Sequence, residues 1–162
     1  MKLNLIYEGN SILRQESKPV GKITKSVKKL VADMFETMYA DNGVGLAAPQ
    51  VAKKKRVIVI DIQSNKSKPI ALINPEIISA EGEIESEEGC LSCPGLTAVV
   101  KRAEIVVAKG LDINGKEIEI KASGLLSIAL QHEIDHLDGI LFIDRLSPTE
   151  RVRVEKQRTR ML

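Results

Sequence analysis

Residues 125–137 constrain the fold of this chain more than any other stretch. The first half, with Leu125, Leu126, Ile128, Ala129 and Leu130, is almost wholly apolar. A helix that is apolar all round has to be enclosed by other elements. The second half is His132-Glu133-Ile134-Asp135-His136, and its two histidines are the only ones in the chain. Residues four apart share a helix face, so both imidazoles reach one metal ion. Glu133 lies between them in sequence, placed to handle a proton on a water at that metal. The expectation is a buried helix over residues 123–138, stopped by Gly139, with polar chemistry at its end.

The rest of the chain must enclose that helix. Over residues 24–40, Val27, Leu30, Val31, Met34, Phe35 and Met38 recur at helical spacing. Asp41-Asn42-Gly43 ends the pattern, since Asn and Gly tolerate left-handed cap geometry. A glycine-rich turn follows, Gly43-Val44-Gly45-Leu46-Ala47-Ala48-Pro49-Gln50. The middle is β-rich. Residues 56–61 and 70–73 read as strands, and residues 103–112 and 116–121 flank Asn114-Gly115, a two-residue hairpin signal. Ser147-Pro148-Thr149-Glu150 has the form of a capping box with proline at the first helical position, so a short terminal helix follows. The fold class is α+β: antiparallel β-sheets packed around a buried helix carrying H-E-x-x-H, with an N-terminal and a C-terminal helix.

At 162 residues the chain reads as one domain, 1–162, able to bury a core without staples. With two Tyr, two Phe and no Trp, that core rests on Ile, Leu, Val and Ala. A formal net charge of +2 is too small to argue for nucleic acid. No apolar run approaches a membrane span, and Met1-Lys2-Leu3-Asn4-Leu5-Ile6 turns polar too soon for a signal peptide. Two cysteines without an export signal fit a reducing cytoplasm.

A catalytic zinc-type site takes three protein ligands and keeps one position open, so the third ligand decides which enzyme this helix serves. Metzincins place Gly three residues and His six residues beyond the motif. Gly139 meets the first requirement, but Phe142 occupies the second, which excludes that class. A thermolysin-type Glu on a following helix stays open by spacing, with Glu150 and Glu155 downstream. The other solution is a cysteine, and Glu88-Gly89-Cys90-Leu91-Ser92-Cys93 contains the only two. A His/His/Cys set suits a borderline-soft divalent metal such as Fe(II), Zn, Ni or Co. Cys90 and Cys93 also form C-x-x-C. Pro94-Gly95 follows at once, where a thioredoxin-like motif needs a helix. A closed structural site of Cys90, Cys93, His132 and His136 is the serious competitor, and it would leave Glu133 idle.

Three segments taken together look like the signature motifs of peptide deformylase: residues 43–50, Glu88-Gly89-Cys90-Leu91-Ser92, and Gln131-His132-Glu133-Ile134-Asp135-His136-Leu137. They stand in that family's order and at its spacings, and the resemblance covers nearly the whole chain. It implies a metal-dependent hydrolase that removes the formyl group from the N-terminal N-formylmethionine of newly made polypeptides, releasing formate. It implies Cys90, His132 and His136 as ligands of one divalent ion, Fe(II) in the cell, with Zn, Ni or Co able to replace it. Glu133 is implied as the proton carrier, and the Gln50 side-chain amide and Leu91 backbone N–H as donors to the developing oxyanion. Gly45 belongs to the same oxyanion-side turn, and its missing side chain would let substrate lie close to the backbone. Val44, Leu125, Ile128 and Ala129 are implied as the pocket for the methionine side chain, although pattern alone assigns them to the core. Gln131 and Asp135 are either solvated or orient the ligating imidazoles.

Two positions depart from the family pattern. Cys93 stands where an aliphatic residue is usual and reads as a small buried hydrophobe. Thr97 stands near where many members carry an Arg that frames the substrate path; Arg102 lies further on. The tail carries Arg151, Arg153, Lys156, Arg158 and Arg160, either a solvated helix face or, by the resemblance, a contact to ribosomal RNA. The expectation is a monomeric cytoplasmic enzyme acting on N-formylmethionyl nascent peptides, with the ribosome as partner through its C-terminal helix and no membrane association.

Overall fold

In the computed structural model, which describes residues 1–65 and 67–162, Thr24 opens the first helix. Its hydroxyl accepts the Val27 N–H, and α1 runs Lys25–Ala40. Asn42 takes a φ of 58° and the Gly43 N–H reaches back to the Met38 carbonyl, as the stop signal requires. The glycine-rich segment is more than a turn. Gly45–Ala47 forms the short strand β1, and Ala48–Val51 coils into a single 3-10 turn. The strands that follow are β2 (Val57–Ile60), β3 (Ile70–Glu81), β4 (Ile84–Cys90), β5 (Cys93–Arg102), β6 (Ile105–Leu111) and β7 (Glu117–Ser123).

Five strands form one antiparallel sheet in the order β1-β2-β3-β6-β7, and β4 and β5 pair as a separate hairpin. Strand β2 explains the layering, because it is buried on both faces. Val57 and Val59 point to one side and pack with Val27, Leu30, Val31, Met34 and Met38 of α1. Ile58 and Ile60 point to the other and pack with Ala129, Leu130, Ile134 and Leu137 of α2, which runs Gly124–Leu137. The large sheet therefore lies between the two helices, and α2 is enclosed as its apolar run demands. Leu125 is the exception at 53% exposure, because it borders the cleft described below. Gly139 stops the helix at a φ of 74°, and an Arg56 guanidinium N–H bonds the Leu137 carbonyl at 3.1 Å, a cation at the negative helix end.

The β4–β5 hairpin was not singled out by patterning, because the acids of β4 mask its strand period. It packs on a third apolar cluster that includes Leu13, Leu96, Val100, Phe142 and Val154, the last from α3 (Pro148–Met161). Two turn expectations are corrected. The Ser147 hydroxyl caps α3 through the Glu150 N–H at 3.2 Å, but the Glu150 carboxylate does not close the box. It accepts the Val99 N–H of β5 at 3.0 Å instead. The β6–β7 turn is also longer than two residues: the Asp112 N–H donates to the Lys116 carbonyl, and the Asp112 carboxylate takes the N–H groups of Asn114 and Lys116. Among the described residues no helix is long and apolar enough to cross a membrane.

Candidate metal centre

His132 and His136 lie one turn apart on α2, their ring centroids 5.0 Å apart. Cys90, the last residue of β4, reaches them from the hairpin. One ligand atom from each of the three falls within 4.8 Å of the others. The Cys90 Sγ lies 3.4 Å from His136 Nε2. His132 Nδ1 faces Glu88 Oε1 at 2.9 Å, which makes Nδ1 the donor to that carboxylate. Burial pushes the pKa of His136 well below the usual histidine value, so this ring stays neutral and able to ligate. At His132 burial is outweighed by the Glu133 and Glu88 carboxylates, which push its pKa up, so a cation there would have to displace a proton. Cys93, Glu150 and Glu155 do not join the cluster. Both glutamates pair with arginines of α3.

The donor set fits a cation. Two imidazoles and a sulfur suit a borderline-soft divalent ion. With no cation, contact with the Cys93 thiol, burial and the Glu133 carboxylate all push the Cys90 pKa up, so the thiol keeps its proton. A coordinated metal removes that proton outright. Two buried polar atoms here, Glu133 Oε1 and His136 Nδ1, have no hydrogen-bond partner.

Glu133 sits beside the cluster, with Oε2 4.0 Å from His132 Nε2. Burial pushes its pKa up to about 7. Gly45 of β1 explains how the carboxylate fits: a Cβ at that position would lie 2.5 Å from Glu133 Oε2. Gly45 also lines the cleft described below, where it presents backbone without a side chain. Gln50 is buried and fixed at both ends of its amide. Oε1 accepts the Ala47 N–H at 2.9 Å, while Nε2 donates to Ser92 Oγ at 3.1 Å and to Cys90 Sγ at 3.5 Å. The amino-terminal segment braces both sides, its Ile6 and Glu8 N–H groups donating to the carbonyls of Gln50 and Ser92 at 2.8 Å each.

These groups open into a cleft of about 460 Å³. Val44, Leu125, Ile128 and Ala129 line it together with Gln50, Leu91, His132 and Glu133. Sequence patterning assigned the four apolar residues to the core; Ile128 and Ala129 are buried, and Val44 and Leu125 are exposed at the rim.

A charge network behind the metal cluster escaped the sequence reading. Arg102, 5% exposed, donates Nε and Nη2 to the two oxygens of Glu88, each at 2.8 Å. Its Nη1 donates to Asp135 at 2.8 Å, and Arg145 grips Asp135 from outside. Burial raises the Glu88 pKa, but the Arg102 guanidinium and the His132 ring outweigh it and hold the carboxyl down at about 2. Glu88 therefore orients the imidazole. Neither Gln131 nor Asp135 does so: Gln131 bonds the backbone of Ala103, and Asp135 serves the arginines. The available signal was the place of Glu88 two residues before Cys90. Arg102 backs this network rather than framing the cleft, and Thr97 faces α3, its carbonyl accepting from Arg153. Phe142 packs against the His132 ring, centroids 6.1 Å apart.

The model of the polypeptide deformylase family matches residues 2–152. A peptide deformylase of Thermodesulfovibrio yellowstonii is 55% identical over 150 residues, covering 91% of each chain. The crystal structure of a peptide deformylase from Legionella pneumophila is similar at a TM-score of 0.91 and 46% identity, over 99% of this chain and 95% of that one. The enzyme from Synechococcus elongatus, solved in complex with actinonin, gives 0.91 at 40% identity, over 97% and 88%. With the three motifs brought to one cleft and relatives matched along nearly their whole length, the chain belongs to the polypeptide deformylase family, enzymes that remove the N-formyl group from nascent peptides.

Proposed function

We propose that Cys90, His132 and His136 hold one divalent ion, Fe(II) in the cell, and that Glu133 carries the proton as the formyl group leaves N-formylmethionyl peptides. Zn, Ni or Co would occupy the same donors. The observation that carries this reading is the meeting of three ligand atoms within 4.8 Å beside a buried carboxylate oxygen that has no partner. When bound, the ion supplies Lewis acidity that activates water and polarises the formyl oxygen.

Glu133 accepts the proton of the water that attacks the formyl carbon. It returns a proton to the amine nitrogen as the C–N bond breaks, so formate and a free N-terminal amine result. The Gln50 amide, turned by the Ala47 N–H so that its nitrogen faces the hairpin, gives up its long contact to Cys90 and donates that N–H to the formyl oxygen as charge develops there; the Leu91 N–H is the second donor. Gly45 leaves the Glu133 carboxylate its place. Val44, Leu125, Ile128 and Ala129 take the methionine side chain by burying apolar surface.

Residues 1–162 act as one catalytic domain, monomeric and in the cytoplasm. Arg153 and Arg158 are engaged by Glu150 and Glu8, while Arg151, Lys156 and Arg160 stay exposed on α3 for phosphate contacts on the ribosome. The decisive assay is formate release from a formyl-Met peptide, under anaerobic conditions with Fe(II) or Ni(II). Glu133→Ala should keep its bound metal and lose activity by about 10²–10⁴-fold. Unchanged formate release from that variant overturns the assignment.

A further inference from the structure

The metal cluster leaves Cys93 without a task. Cys93 is the residue directly opposite Cys90 in the β4–β5 pair, and only Leu91 and Ser92 separate them. Opposite residues of an antiparallel pair have Cα atoms about 4.5–5.5 Å apart, within the roughly 4.4–6.8 Å that a disulfide spans. Both cysteines are free thiols, and they interact side chain to side chain. Cys90 is half-buried at the cleft, whereas Cys93 is 2% exposed and packed in the third apolar cluster. Both residues line the cleft, and Cys90 is the more exposed, so an oxidant entering the cleft meets Cys90 first with a second sulfur in contact with it.

We propose that Cys90 and Cys93 form a reversible disulfide under peroxide, which takes the sulfur ligand out of the metal cluster and spares it from irreversible oxidation. In the first step the Cys90 thiol gives up its proton, displaced by the metal or passed to solvent, and its sulfur attacks one oxygen of hydrogen peroxide. The O–O bond breaks, an S–O bond forms, and the other oxygen leaves as hydroxide and is protonated to water. The Cys93 sulfur then attacks the Cys90 sulfur. The S–S bond forms, the S–O bond breaks, and the second oxygen leaves as water with the thiol proton of Cys93. Two thiols are oxidised by two electrons, and one peroxide is reduced to two waters. Without a neighbouring thiol, the sulfenic acid at Cys90 is open to sulfinic and sulfonic forms that reductants do not reverse. The cysteine at position 93 thus changes a permanent lesion into a recoverable one. The release of metal rests on the reading of Cys90 as a ligand; the disulfide itself does not.

The test uses the full chain loaded with zinc, which is redox-silent, beside the metal-free protein, both exposed to hydrogen peroxide. Intact mass and zinc captured by a chelating dye are followed together. The expected result is loss of two hydrogens in both forms, zinc release in step with that loss, and reversal of both by dithiothreitol. Cys93→Ser should instead gain oxygen atoms that dithiothreitol does not remove. Cys93→Val repeats that arm with an apolar side chain in case a buried serine unfolds the hairpin. Oxygen adducts without hydrogen loss in the parent protein overturn the proposal. A disulfide that forms while zinc stays bound overturns the ligand role of Cys90 and leaves the disulfide standing.

Discussion

The hairpins β6–β7 and β4–β5 are made of the same local element and are held in opposite ways. In β6–β7 the turn stands in solvent, fastened by the Asp112 carboxylate; β7 alternates polar and apolar residues, and β6 alternates in burial. Its ion pair, Lys109 with Glu117 at 2.5 Å, lies in water at 41% and 58% side-chain exposure. In β4–β5 the turn is pinned under Gln50 and the amino-terminal segment, and its charges lie inside. The side chains of Glu88 and Arg102 are 5% and 2% exposed. The first hairpin is specified by its own sequence. The second is specified by what it meets, since a strand reading Ile-Glu-Ser-Glu-Glu-Gly-Cys has little local reason to pair. Placing Cys90, a proposed metal ligand, at its end therefore couples that residue's position to the packing of α2.

The largest expected effect breaks that coupling. Arg102→Met leaves the buried Glu88 carboxylate without its cation, while Arg145 still holds Asp135, and losing one partner of a buried pair costs about 3–5 kcal/mol. The denaturation midpoint should fall accordingly, with loss of bound metal, because Glu88 no longer holds the His132 ring. A drop below about 1 kcal/mol would show that the charges follow the hairpin rather than hold it. Glu88→Gln keeps the volume and removes the charge. It should cost less stability than Arg102→Met, because Arg102 keeps Asp135 as its partner, and weaken metal binding about 10–100-fold, read by competition with a chelator.

Two glycines sharpen the contrast at the next level. Gly45→Ala places a Cβ 2.5 Å from Glu133 Oε2, so the carboxylate must move. A shift of about 1 Å at a reacting group costs on the order of 10²-fold in rate, so kcat should fall by that factor while bound zinc is unchanged. Gly115→Ala meets nothing closer than Ile23 Cδ1 at 4.0 Å, but its φ is 82°. It should lose about 1–2 kcal/mol of stability and no activity. If Gly45→Ala also cost only stability, the glycine would be a turn residue like Gly115.

The same contrast explains what the sequence disclosed. Helices α1 and α2 were legible because their apolar periods and caps are local, and so was β6–β7. The three motifs named the cluster because Cys90, His132 and His136 are scarce residue types at diagnostic positions. The β4–β5 strands and the Glu88–Arg102–Asp135 network were not legible, because they join charged residues far apart in sequence. A glutamate next to a glutamate reads as solvent-facing until its arginine partner is placed. Leu125 shows the reverse error: it belongs to an apolar run yet stands exposed at the cleft.

The smallest expected effect closes the comparison. Lys109→Met removes the cation of the solvent pair, just as Arg102→Met removes that of the buried one. An exposed ion pair contributes about 0.2–1 kcal/mol, because water screens it and two long side chains lose freedom to form it. Lys109 also stands in the strand interior opposite Glu119 in register, so its methylenes still cover the sheet after the change. The midpoint should move by less than about 0.5 kcal/mol, with metal content and formate release unaltered. A double-mutant cycle over Lys109 and Glu117, set beside one over Arg102 and Glu88, measures the two couplings directly. Similar values from the two cycles would mean that burial of the site-bearing hairpin does not set its strength, and the distinction drawn between the hairpins would fail.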